Sequence, residues 1–200
     1  MKTSRQREVI RLARSLGVLR PRDLEAAGIE RRHLAELVSE GVLTRSGRGL
    51  YALADADVTE HHTLAEVARR VPRGVVCLLS ALRYHDLTTQ NPDAVWLAID
   101  RTARKPSVDY PPIRVVRFSG RALAEGVEER RVERVPVRVY CPAKTVADCF
   151  KYRNKIGLDV ALEALRETWR AGKAPMDDLW KYARVCRVAN VMRPYMESLT

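Results

Sequence analysis

Apolar side chains recur at helical spacing from the start of the chain. Val9, Ile10, Leu12, Ala13 and Leu16 mark one face over residues 3–16, with Thr3 or Ser4 as the N-cap and Gly17 as the closing residue. Residues 18–20 are short and extended. Pro21 suits the first turn of a second helix that buries Leu24, Ala26 and Ala27 and stops at Gly28. Ile29 leads into a third helix over residues 30–40, whose apolar set is Leu34, Leu37 and Val38, closed by Gly41. Residues 42–45 and 50–53 flank Ser46, Gly47, Arg48 and Gly49, which predicts a β-hairpin with a basic tip. Three short helices and a hairpin predict a winged helix-turn-helix over residues 1–55.

The pattern then changes. Residues 54–60 are polar and acidic and read as a connector or the start of a helix. Residues 61–71 predict a helix with Leu64, Val67 and Ala68 inward, and 75–84 predict a second, apolar helix. Strands follow at 94–99, 113–118 and 135–140, the last alternating Val135, Val137 and Val139 with polar or bulky neighbours. Helices are predicted from Pro142 to about Arg153, from Leu158 to Trp169, over 176–188 and over 191–199. Residues 56–200 therefore read as a second, mixed α/β domain, and the whole chain as α+β.

Charge sharpens this picture. The chain of 200 residues is 46% hydrophobic and 30% charged, as a folded protein is, with a formal net charge of +11. Such an excess fits a partner with a phosphate backbone, because binding releases counterions. Through Asp55 there are eleven basic and seven acidic residues, so the remainder is also basic. The longest strongly apolar run, residues 75–79, is far short of the ~20 needed to span a bilayer. The first residues lack the apolar stretch of a signal peptide, so a cytoplasmic protein without a membrane partner is expected.

A recognition helix buries one face and offers a polar face to the major groove. In the third helix Arg31, Arg32, Ala35, Glu36 and Ser39 are left outside. Arg31 and Arg32 lie in the first turn, from which arginine reaches guanine O6 and N7 in bidentate fashion. A blander reading has Arg32 and Glu36 as a surface i, i+4 pair of about 0.3–0.5 kcal/mol. Arg45 and Arg48 flank the hairpin tip, where Gly47 and Gly49 allow the turn and the arginines meet phosphate or the minor groove. Arg5, Arg20 and Arg22 are candidates for phosphates beside the groove, and Ser39 completes the DNA-facing set.

No Gly-rich phosphate loop, HExxH, GxSxG or kinase motif set is present, so no catalytic residue is named. Lys144 and Asp148 lie four apart near a helix start. Either that helix end and Lys144 hold a phosphate, or the two form a surface ion pair beside a buried Thr145; the second reading is favoured. Lys151, Arg153 and Lys155 offer a surface for phosphate or an acidic protein, or simply a solvated helix face. His85 beside Asp86 reads as a helix cap before it reads as a proton-transfer group. Cys77, Cys141, Cys149 and Cys186 show no CxxC spacing, so buried thiols are expected, with no metal and no cofactor.

The chain resembles the AbiEi family, the antitoxins of AbiE-type (type IV) toxin–antitoxin pairs. In the first domain the resemblance rests on Gly28-Ile29, Leu34 with Leu37, Gly41-Val42-Leu43 and Gly49-Leu50-Tyr51. In the second it rests on Ser80-Ala81-Leu82-Arg83-Tyr84-His85-Asp86-Leu87-Thr88, on Thr145-Val146-Ala147-Asp148-Cys149-Phe150-Lys151-Tyr152-Arg153, and on Lys155-Ile156-Gly157-Leu158-Asp159 with Ala161-Leu162-Glu163-Ala164-Leu165. The resemblance implies a winged helix that represses its own operon at inverted repeats in the promoter. It also implies an antitoxin domain that counteracts a nucleotidyltransferase toxin, in many pairs without a stable complex. Two alternatives stand beside it: an atypical kinase that inactivates the toxin by phosphorylation, and a plain repressor with a small-molecule sensor domain.

Overall fold

The computed structural model describes residues 3–199 and is mixed α+β, with helices first and sheets after them. It divides into two compact units. One comprises the chain through Pro72 together with Ser107–Pro111 and Arg131–Val137, so the expected boundary at residue 55 falls inside it. The other holds Arg73–Pro106, Pro112–Arg130 and the chain from Arg138 onward.

In the first unit, α1 (Ser4–Leu16) starts at a reciprocal cap. Thr3 Oγ1 accepts from the Gln6 amide at 3.2 Å, and Gln6 Oε1 accepts from the Thr3 amide at 2.9 Å. Proline opens α2 (Pro21–Ala26), and the Asp23 carboxylate accepts from the Arg20 amide at 2.7 Å. Next comes α3 (Arg32–Ser39), then β1 (Leu43–Gly47) antiparallel to β2 (Leu50–Leu53), with a bulge between Arg45 and Gly47. The extended stretch after Gly17 adds a bridge to this hairpin: Leu19 and Tyr51 exchange backbone hydrogen bonds of 2.7 and 3.0 Å. Val9, Ala13, Leu19, Leu24, Ile29, Leu34, Leu37 and Leu43 form one buried cluster. The expected apolar faces of α1 and α3 meet there, whereas α2 contributes only Leu24: Ala26 and Ala27, expected to be buried, are exposed. Also in this unit is α4 (His62–Arg70), with Leu64, Ala65 and Val67 buried.

The larger sheet is ordered β5-β4-β3-β7-β6, and all of it except residues 131–132 and 135–137 belongs to the second unit. Its strands are β3 (Val75–Val76), β4 (Val95–Asp100), β5 (Ile113–Phe118), β6 (Val127–Val132) and β7 (Val135–Tyr140). β4 runs antiparallel to β3 and parallel to β5, while β3 is parallel to β7. The single helix expected over 75–84 is corrected. Val75 and Val76 are a buried central strand, as two adjacent β-branched residues favour, and only α5 (Leu78–Tyr84) is helical. β6 escaped the pattern because Glu128, Glu129, Arg130 and Arg131 mask any alternation, as is common on an edge strand. A short α6 (Arg121–Ala124) precedes it, also unforeseen. The helix from Pro142 divides at Tyr152 into α7 (Pro142–Lys151) and α8 (Arg153–Ile156). α9 (Leu158–Arg170), α10 (Met176–Val185) and α11 (Ala189–Glu197) complete the chain. α7 packs against α5, α9 and α10, so its residues lie at the heart of the unit.

Candidate nucleic-acid interface

Leu34 and Leu37 of α3 face the core, and a polar bracket ties the helix to α1. Gln6 Nε2 donates to Glu36 Oε2 at 3.3 Å and to Glu40 Oε1 at 3.1 Å, while His33 Nδ1 lies 2.8 Å from Glu36 Oε2. The bond from His33 holds the Glu36 carboxyl below its ordinary range against a smaller effect of burial. Glu36 thus bonds to His33 and Gln6, so the alternative surface pair between Arg32 and Glu36 is not formed.

Arg32 pairs instead with Glu30 at 3.1 Å, and Arg31, just ahead of the helix, with Glu25. These arginine side chains are 65% and 66% exposed. Ion pairs at such exposure contribute about 0–1 kcal/mol, so either guanidinium exchanges a carboxylate for a phosphate or a base edge at little cost. Ser39 is exposed on the same helix, its hydroxyl donating to the Glu36 carbonyl at 2.7 Å.

At the hairpin, Arg45 is exposed and its Nε donates to the Gly47 carbonyl at 3.4 Å. Arg48 is 84% exposed, its guanidinium 3.9 Å from Asp109. The left-handed backbone falls on Gly49, with φ of 70°. Gly47, expected to serve the turn, is not left-handed; a Cβ there would stand 2.7 Å from Arg70 Nη2. That guanidinium reaches in from α4 and donates to the Arg48 carbonyl at 3.2 Å.

Among the flanking candidates, Arg5 is exposed and pairs with Glu8 at 3.0 Å, and Arg22 is exposed. Arg20 differs. Its side chain is only 15% exposed, lies 3.6 Å from Asp23 and donates to the Arg69 carbonyl, while Arg69 also pairs with Asp23. Arg20 therefore joins α2 to α4 inside the unit. Sequence reasoning missed Arg69 and Arg70; their only signal was two adjacent arginines in the last turn of a helix.

The second unit reverses the favoured reading of Lys144 and Asp148. Both side chains are wholly buried, so they are not a surface pair and offer nothing to a partner. Lys144 Nζ also lies 4.0 Å from the Tyr140 ring centroid and 4.7 Å from that of Phe118. Burial pushes the Asp148 carboxyl up, opposed by Lys144. Cys186 Sγ donates to Asp148 Oδ1 at 3.2 Å, and the expected buried Thr145 donates to the Tyr140 carbonyl at 3.2 Å. Arg153 is half-buried and donates to the Phe150 carbonyl at 2.9 Å. Lys151 and Lys155 are exposed, with Lys155 over the Tyr152 ring. His85 closes α5 and its Nε2 lies 2.8 Å from the Tyr140 carbonyl; burial lowers its pKa. Cys77, Cys149 and Cys186 are buried and Cys141 partly so, and burial raises each thiol, which suits packing rather than nucleophilic attack.

No helix among the described residues is long and apolar enough to cross a membrane. No curated protein matches the chain. Among solved structures, the crystal structure of the RV2827C protein from Mycobacterium tuberculosis matches with a TM-score of 0.61 at 14% identity, covering 98% of this chain and 78% of that one. At such identity the likeness establishes a shared fold. The three helices and the hairpin carry the sequence match: residues 7–54 match the family described as transcriptional regulators, AbiEi antitoxin.

Proposed function

We propose that α1 to α3 and the β1–β2 hairpin form a winged helix-turn-helix that binds double-stranded DNA at the chain's own promoter. One observation carries this reading. Within the segment matching a regulator family, α3 buries Leu34 and Leu37 while Arg31 and Arg32 stand exposed at its start, and the hairpin holds Arg45 and Arg48 in solvent. The Leu19–Tyr51 bridge ties the segment after α1 to the hairpin by a single pair of backbone bonds. Arg31 and Arg32 meet base edges, Ser39 lies farther along the same helix, and Arg5, Arg22, Arg45 and Arg48 meet the backbone. A mobility-shift titration on duplex DNA from directly upstream of the reading frame, with a scrambled competitor, tests it. Preference for the native duplex supports the reading, and equal competition by the scrambled one removes it.

The same family description motivates the second half of the proposal, a cytoplasmic antitoxin that counteracts a nucleotidyltransferase toxin. The second unit supplies that activity, with Lys151 and Lys155 as its exposed basic residues. Co-expression with a nucleotidyltransferase encoded beside it should restore growth, and intact mass of that toxin separates neutralisation by contact from covalent modification.

A further inference from the structure

The hairpin tip is gripped from outside the segment that carries the family match. Arg70, in the last turn of α4, donates from Nη2 to the carbonyl of Arg48, whose own side chain is left 84% exposed. Its path runs through a notch. Gly47 lacks a left-handed φ, so its backbone does not require glycine; a side chain there would instead meet Arg70 Nη2 at 2.7 Å. The preceding residue, Arg69, pairs with Asp23 of α2, and its carbonyl accepts from Arg20. One turn of α4 therefore holds both the hairpin tip and the helix ahead of α3.

We infer that Arg70 is a positioning residue for nucleic-acid binding: by holding the Arg48 carbonyl through the Gly47 notch, it sets where the Arg48 guanidinium meets the duplex. The inference rests on the DNA-binding reading above. A two-stranded hairpin with a bulge at Arg45–Gly47 has few bonds of its own at the tip, and an untethered tip must be ordered on binding. A tether made before DNA arrives removes that ordering from the binding step.

Two variants act on the contact from opposite sides. Arg70→Ala deletes the donor. Gly47→Ala adds a methyl that displaces the far end of a flexible side chain, with little strain on the backbone. With the full chain and the upstream duplex, each should weaken binding about tenfold, the loss of one charge-assisted hydrogen bond. Each should also erase the same hydroxyl-radical protection at the flank of the site while the central, α3-dependent protection persists. The double variant should be no weaker than either single, because both remove one contact. Amide exchange at the hairpin tip should accelerate in both singles without DNA. Additive losses, or unchanged tip exchange in Arg70→Ala, overturn the inference while leaving the DNA reading intact. Failure of the parent chain to prefer the upstream duplex sinks the reading itself.

Discussion

Lys144 and Asp148 hold each other inside the second unit, Nζ lying 2.8 Å from Oδ1 and 2.6 Å from Oδ2 with neither side chain reaching solvent. Such a pair does little for net stability compared with apolar residues of the same volume, but breaking it leaves a buried charge alone. Lys144→Met or Asp148→Asn should therefore destabilise by about 3–5 kcal/mol, and the double change to Met and Leu should recover most of that loss. Trp96, Trp169 and Trp180 all lie in this unit, so urea unfolding followed by tryptophan fluorescence reads the effect. Two single variants as stable as the parent would contradict the buried arrangement.

On the DNA-facing side, the roles of the arginines separate by assay. Arg31→Ala or Arg32→Ala should weaken operator binding by about 1–3 kcal/mol and relax sequence preference, whereas Arg48→Ala should weaken native and scrambled duplexes alike and lower the salt slope by about 1. Arg20→Ala should behave unlike all three. Its side chain is spent on Asp23 and the Arg69 carbonyl, so it should lower the melting temperature of the first unit before it changes the salt slope. Titrations at several salt concentrations, paired with thermal melts, distinguish these outcomes.

Much of the first unit was legible because its code is local. Thr3, Gly17, Pro21, Gly28 and Gly41 punctuate the helices, and the leucine spacing says which faces turn inward. What stayed hidden depends on residues far apart in sequence. Nothing near Arg20 announces Arg69, 49 positions on, as its partner. Nothing near Gly47 announces Arg70, so the local sequence suggests a turn residue where the glycine instead makes room for a side chain. In the second unit, i, i+4 spacing correctly paired Lys144 with Asp148, but spacing carries no information about depth. Depth came from α5, α9 and α10 closing over α7. β6 stayed hidden for the opposite reason: its exposed charges suit an edge position that only the finished sheet defines.

Acid should weaken the first unit through Glu133. One carboxylate oxygen accepts from the Thr59 amide at 2.7 Å and its hydroxyl at 2.9 Å, and the other lies 2.6 Å from His62 Nδ1. Burial raises the Glu133 pKa, but these bonds together outweigh it and leave the group below its ordinary range. A carboxyl with a depressed folded-state pKa stabilises the fold above its unfolded-state value, and that contribution disappears as pH falls through the folded one. Glu133→Gln should therefore be less stable than the parent at neutral pH and lose less on acidification. Amide exchange of α1 and the hairpin across that range provides the measurement, and parallel acid profiles for the two chains would refute the assignment.

Gly17 ends α1 with φ of 71°, and a Cβ on it would stand 1.9 Å from the Glu133 carbonyl oxygen. Two independent penalties thus fall on any other residue there. The left-handed backbone alone costs about 1–3 kcal/mol for a side-chain-bearing residue. The clash adds to it, because the obstacle is main chain and cannot swing aside. Gly28 gives the control: it is also left-handed, with φ of 68°, but nothing lies within 4 Å of its missing Cβ. Gly28→Ala should therefore show a positive-φ penalty free of any clash, and Gly17→Ala, at φ 71° and ψ −67° with a carbonyl against the new Cβ, should exceed it clearly in thermal denaturation. Equal losses at the two positions would mean that Glu133 does not press against α1 in solution.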